Sequence, residues 1–190
     1  LPLLPVPGDR MILECHFPGK VIPSGAIGVK QVAHDFAGFF GLTDTKDPYF
    51  GRSGDCEVDI KCSTDANYMK ASRSVIRLLV AGAELCTGVL VNNTGSDYKA
   101  YVLTAQHCIE NASQAANTIF VFNYLSPRCN GPDISNMHSL SGSLLRATNP
   151  DIDFTLVELN QFPSLVFKPY LSGWDISQTI PSKTFTLHHP

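Results

Sequence analysis

Between Ser74 and Leu159 the chain repeats one texture six times: a short aliphatic or β-branched run, then a polar turn. The runs are SVIRLLVA (74–81), LCTGVLVN (85–92), KAYVLTA (99–105), TIFVFNY (118–124), GSLLRAT (142–148) and DFTLVEL (153–159). Turn signals stand between them, as NNTGSD at 92–97, SPRCNGPD at 126–133 and NPD at 149–151. Short strands joined by polar turns predict an all-β domain, a small antiparallel barrel or sandwich. Closing such a sheet removes exposed edges and leaves strand ends at a rim, where side chains can do chemistry.

The flanks differ. Residues 1–55 are rich in Gly and Pro, with one amphipathic stretch, IGVKQVAHDFAGFF, from Ile27 to Phe40. Residues 160–180 read as a connection, and KTFTLHH (183–189) reads as one more strand. The expected organisation is an N-terminal segment over 1–55, a barrel over 56–160, and a crossover over 161–190.

Net charge is −3, with 14 Lys and Arg against 17 Asp and Glu, so nothing in the charge favours nucleic acid or an anionic membrane as partner. No apolar run reaches the length of a membrane helix. The opening LPLLPVPGD is broken by proline and lacks a basic start, so it does not read as an intact signal peptide. Six cysteines stand at 15, 56, 62, 86, 108 and 129, with no CxxC spacing. An even count without metal-type spacing predicts disulfides formed in an oxidising compartment, with 15 pairings open.

The stretch LTAQHC (103–108) drives a strand into a lone histidine. A histidine after one strand and an aspartate opening a later one, His107 and Asp153, supply two members of a charge-relay site. From the residues alone, packing and turn roles are the commoner reading of each. No metal site is expected. His34 lies in VAHDFAGFFGL, where a zinc-protease helix would need a histidine four residues away, and positions 30 and 38 are Lys and Gly. His188 and His189 are adjacent and would face opposite ways on a strand, so a structural role is expected. Asn92-Asn93-Thr94 and Asn111-Ala112-Ser113 are glycosylation sequons, which would have no consequence if the source is bacterial.

The surrounding blocks carry a resemblance. LTAQHC resembles the TAxHC block of trypsin-like serine proteases, CTGVLV (86–91) their C-x-G-x-L strand, and DFTLVEL the strand opened by the catalytic aspartate. CEVDIKC (56–62), CTGVLVNNT (86–94), DFTLVELN (153–160), SGWD (172–175) and HHP (188–190), taken in order, resemble the lysyl endopeptidase branch of secreted bacterial proteases. Gln106 departs from the usual small residue of that block.

The resemblance implies a six-stranded Greek-key barrel, the first barrel of a trypsin-like protease, behind an irregular pro-like segment. It implies His107 as general base and Asp153 as its orienter, acting on a protein or peptide substrate without a cofactor. It implies the bridges Cys86–Cys108, pinning the base-bearing turn, and Cys62–Cys129. The family partner of Cys56 would lie far downstream, so Cys56 is expected to pair with Cys15. Arg52–Ser53 is the expected processing bond of a latent precursor, and Trp174 is expected to pack in the crossover.

The family's G-x-S-G nucleophile block does not follow Asp153 within these residues. Gly51-Arg52-Ser53-Gly54 and Ser141-Gly142-Ser143 are look-alikes at unsuitable places. The expectation is therefore the N-terminal portion of a secreted or periplasmic serine endopeptidase, lysine-selective by kinship and inactive without its C-terminal half. The competing readings are a protease-like module that binds without cutting, and a plain secreted β-domain.

Overall fold

The computed structural model describes residues 2, 3, 6, 8–19, 24, 25, 27–34, 54, 56–130 and 138–189. It divides into two compact units, residues 5–50 and residues 1–4 with 51–190. The described residues of the smaller unit form no helix or strand, and residues 27–34 of the amphipathic stretch are exposed. His34 is among them, on the surface. Arg52 and Ser53 lie outside the described residues.

The larger unit is one antiparallel sheet: β1 (Val75–Val80), β2 (Glu84–Val91), β3 (Tyr101–Thr104), β4 (Thr118–Phe122), β5 (His138–Ser141), β6 (Ser143–Asn149) and β7 (Phe154–Leu159). The order is β5-β4-β1-β2-β3-β7-β6. The first three strands form a meander and β4 returns beside β1, which is the Greek-key arrangement. The all-β expectation holds, with seven strands where six were read. The added strand is β5, which pairs with β4 from Ile119↔Ser141 to Phe122↔His138.

The two edge strands are consecutive in sequence and meet at Gly142, so the sheet curls upon itself. Gly142 N donates to Thr118 O at 2.9 Å, and Asn160 N donates to Gly142 O at 3.3 Å. The backbone there has φ +77°, and a Cβ would stand 2.5 Å from Asn160 Nδ2, so only glycine fits the corner. Gly88 of β2 meets a different limit: its Cβ would sit 2.7 Å from Val102 Cγ1, in the core. That is the physical content of the glycine in CTGVLV.

Inside the curl, alternate residues of each strand converge. Ile76, Leu78, Leu90, Val102, Phe120 and Val157 are fully buried. Burial at about 25 cal/mol per Å² of apolar area is what holds such strands together. Two short helices flank the sheet. In α1 (Ala66–Ala71), Asp65 caps the start by accepting from Asn67 N at 2.7 Å. In α2 (Ala112–Ala116), Asn111 accepts from Ser113 N and Gln114 N, both at 3.0 Å. The side-chain oxygen of the second sequon is thus a helix cap.

Residues 183–189 do not add a strand. They reach β2 at Thr87 and bond its side chain rather than its backbone. His189 N donates to Thr87 Oγ1 at 2.9 Å, and Thr87 Oγ1 donates to His189 O at 3.3 Å. The His189 ring stands edge-on to Tyr124 at 5.7 Å, and the Arg77 guanidinium lies 4.3 Å over that same Tyr124 ring. His189 as a residue is partly open, but its Nε2 is sealed from solvent without a hydrogen-bond partner. Burial first, then the positive Arg77 and His188, pull its pKa down to about 4.

Stability should therefore fall in acid. The folded His189 is neutral, whereas a free histidine binds a proton near pH 6.5. From about pH 6.5 down to about 4 the proton favours the unfolded chain, and the loss reaches roughly 2–3 kcal/mol. Above pH 7 the penalty is absent. The neighbouring His188 pairs with Glu57 at 3.5 Å, so the comparison needs a control. Unfolding of wild type and His189→Gln between pH 4 and 7 supplies it. The stability difference should drift by that amount, and a constant offset would contradict the assignment.

Candidate active site

Two pieces of chain far apart in sequence meet because of strand register. β3 and β7 pair antiparallel, and the last pair is Thr104↔Thr155. The C-terminal end of β3 thus lies beside the N-terminal start of β7. His107 follows β3 by three residues and Asp153 precedes β7 by one.

After β3 the chain makes a turn closed by Cys108 N and Ile109 N, both donating to Ala105 O at 3.3 Å. The turn is fastened to β2 by the Cys86–Cys108 disulfide. Thr104 Oγ1 donates to Thr87 O at 2.9 Å, holding the strand end to β2 as well. On the other side, the β6–β7 connection tightens through Asp151 N to Asn149 Oδ1 at 2.8 Å. Asp153 itself has φ +48°, the left-handed region, which aspartate enters more readily than most residues. That turn of the backbone presents its carboxylate to the histidine.

Both carboxylate oxygens are engaged. Oδ2 lies 2.8 Å from His107 Nδ1, and Oδ1 accepts from His107 N at 3.0 Å. A carboxylate only accepts, so Nδ1 carries the hydrogen and Nε2 is the free lone pair. The backbone amide of His107 above all, then the imidazole and the Gln106 amide, hold the Asp153 carboxyl below the usual carboxylate range, against an opposing effect of burial that ranks second only to the His107 amide. The side chains are 71% and 50% exposed, so screening by water limits the strength of the pair. Its value is geometric: the contact fixes the tautomer and leaves Nε2 as the acceptor.

The other candidates fall elsewhere. Cys62 is bonded to Cys129, across 67 residues. Cys15 and Cys56 are both free, exposed thiols, so the expected bridge between them is not formed. Each sits in irregular chain, with no paired strand beside it to hold the geometry that a disulfide needs. Ser143 is buried, and its hydroxyl donates to Ala115 O at 2.8 Å, which commits it to packing. Trp174 is 58% exposed rather than packed. Among the described residues no cluster of His, Cys, Asp and Glu could hold a metal ion, and no helix is long and apolar enough to cross a membrane.

A tethered imidazole–carboxylate pair at the rim of a curled Greek-key sheet places the molecule among serine-protease-like domains. The sequence match gives the family: residues 50–190 match the model described as the C-terminal domain of lysyl endopeptidase, and the chain belongs to that family. It is also similar to a lysyl endopeptidase of Pseudomonas aeruginosa, 28% identical over 199 aligned positions covering 97% of this chain and 42% of that protein. The chain therefore spans less than half the length of that relative.

Proposed function

We propose that this chain supplies the base-bearing part of a secreted or periplasmic serine endopeptidase. His107 would act as general base and Asp153 as its orienter. The nucleophilic serine would come from sequence outside these 190 residues. The observation that carries the reading is the double contact between the two residues, at 2.8 and 3.0 Å, in a domain of this family.

The chemistry follows from the tautomer. A serine hydroxyl placed at His107 Nε2 gives up its proton as its oxygen attacks the scissile carbonyl. The imidazolium is stabilised by the Asp153 carboxylate and returns the proton to the leaving amine. Water then repeats the sequence on the acyl-enzyme. The oxyanion donors would come with that serine, so these residues alone would not turn over.

Selectivity for lysyl bonds is part of the proposal, supported by the names of the matched family and relative. No residue described here carries it. The N-terminal segment is proposed as a propeptide, removed at or near Arg52–Ser53; the start of the family match at residue 50 supports this. The two disulfides support an oxidising compartment.

The test uses the complete protein secreted by its host. It should hydrolyse peptides after Lys far faster than after Arg or neutral residues, and His107→Ala should abolish this. Mass analysis of the secreted N-terminus should place it close to Ser53. Hydrolysis that survives His107→Ala would refute the catalytic role, and a mature start well upstream of Gly51 would refute the processing. A module that binds peptides without cutting them is the second reading, favoured by the lack of a G-x-S-G block after Asp153 in these residues. Cleavage by the complete protein would exclude it.

A further inference from the structure

The geometry points to Thr155 as a positioning residue: one buried hydroxyl ties the turn carrying His107 to the strand carrying Asp153. The inference rests on the roles proposed for those two residues.

Thr155 is the second residue of β7 and is fully buried. Its Oγ1 donates to Ile109 O at 2.7 Å. The same Oγ1 lies 2.7 Å from Thr148 Oγ1 of β6. A hydroxyl has one proton to give. Since Thr155 gives its proton to the carbonyl, Thr148 must be the donor in the second contact. A directed chain results, from β6 through β7 into the histidine turn.

Ile109 lies two residues beyond His107 and is itself fully buried. Its carbonyl leaves the turn pointing into the protein, where an oxygen left unpaired would be costly. Thr155 satisfies it and anchors the turn in the same act. The Cys86–Cys108 bridge and the Thr104 hydroxyl both fix the turn to β2. Neither reaches β7. Among the described residues, the Thr155 side chain is what hydrogen-bonds the turn to β7 independently of Asp153. Thr155 lies two residues after Asp153, so its bond fixes the spacing between turn and strand just inside the histidine–aspartate contact.

Shape and chemistry can be separated here. Valine would fill the space of Thr155 without making the bond. Serine would make the bond without the methyl group. Nuclear magnetic resonance on the 190-residue protein can read two quantities. One is exchange protection of the His107 amide, which donates to Asp153; the other is the titration of the Asp153 carboxyl.

Thr155→Val should lower the His107 amide protection about tenfold or more relative to β1 and β2 amides. It should also move the Asp153 midpoint up toward the ordinary carboxylate value. Thr155→Ser should restore both. A folded Thr155→Val protein with both readings unchanged would overturn the inference. If Thr155→Val does not fold, Thr155→Cys carries the test, because the thiol nearly keeps the volume and is only a weak donor to the Ile109 carbonyl. A smaller shift in the same direction supports the tie, and no shift overturns it.

Hydrolysis by the complete protein is read separately. Lower kcat at unchanged KM in Thr155→Val, restored by Ser, is the expected result. Disturbed His107 and Asp153 signals with full hydrolysis would leave the tie standing and remove the catalytic roles instead.

Discussion

Asp153→Asn is expected to cut peptide hydrolysis by the complete protease roughly 10⁴-fold while leaving the fold intact. Asparagine has the size of aspartate and also tolerates the left-handed backbone at φ +48°. Its carbonyl oxygen can still accept from the His107 backbone amide, as Oδ1 does at 3.0 Å. Its NH₂ must then face Nδ1, where Oδ2 now sits at 2.8 Å. An NH₂ group donates, so the imidazole is driven to the other tautomer, with hydrogen on Nε2. A protonated Nε2 cannot take the serine proton. The loss should appear in kcat, with KM and thermal stability close to wild type. A loss of less than tenfold would mean that Asp153 does not set the tautomer.

The largest stability effect is expected from the Cys62–Cys129 bridge. Cys62 ends a 3-10 turn over Ile60–Cys62, and the loop it closes holds β1 to β4. A closure of 67 residues removes unfolded-state entropy worth roughly 4 kcal/mol at room temperature. The Cys86–Cys108 closure of 22 residues removes roughly 3. For a domain of this size, 4 kcal/mol lowers Tm by roughly 10 °C. The native ends stay close without the bond, since Asp59 accepts from both Lys61 N and Asn130 N. Paired Cys62→Ser and Cys129→Ser substitution, followed by calorimetry, checks this. A Tm drop of only one or two degrees would show that the denatured chain already keeps this loop compact.

Sequence and structure agree where apolar pattern alone decides. The strands from SVIRLLVA to DFTLVEL are legible because their aliphatic residues leave the chain no other way to bury itself. HSLS at 138–141 is illegible: it has one buried aliphatic, Leu140, and is a strand only because β4 offers it an edge. KTFTLHH fails the opposite way, with the pattern of a strand but a bond to β2 only through the Thr87 side chain. The arginine inside SVIRLLVA gives no hint that Arg77 is buried against Tyr124, because that packing involves a residue from another strand's end.

The histidine and aspartate are legible as candidates from the blocks around them, but their meeting is not. It depends on the β3–β7 register, which no local pattern fixes. Thr155 is less legible still. Threonine is common in strands, and nothing marks one whose hydroxyl satisfies a carbonyl 46 residues away. The free Cys15 and Cys56 show the limit of counting: an even number suggests bridges and does not choose them.

The β3–β7 pairing also has a consequence for the life of the nascent chain. His107 emerges from the ribosome well before its acid partner, and more than forty residues must be made before β7 can close on β3. Non-local pairings of this kind bear their entropic cost before any contact rewards it, and they form slowly. Until then the histidine turn has no carboxylate to orient it. The histidine–aspartate contact thus exists only once the sheet is complete.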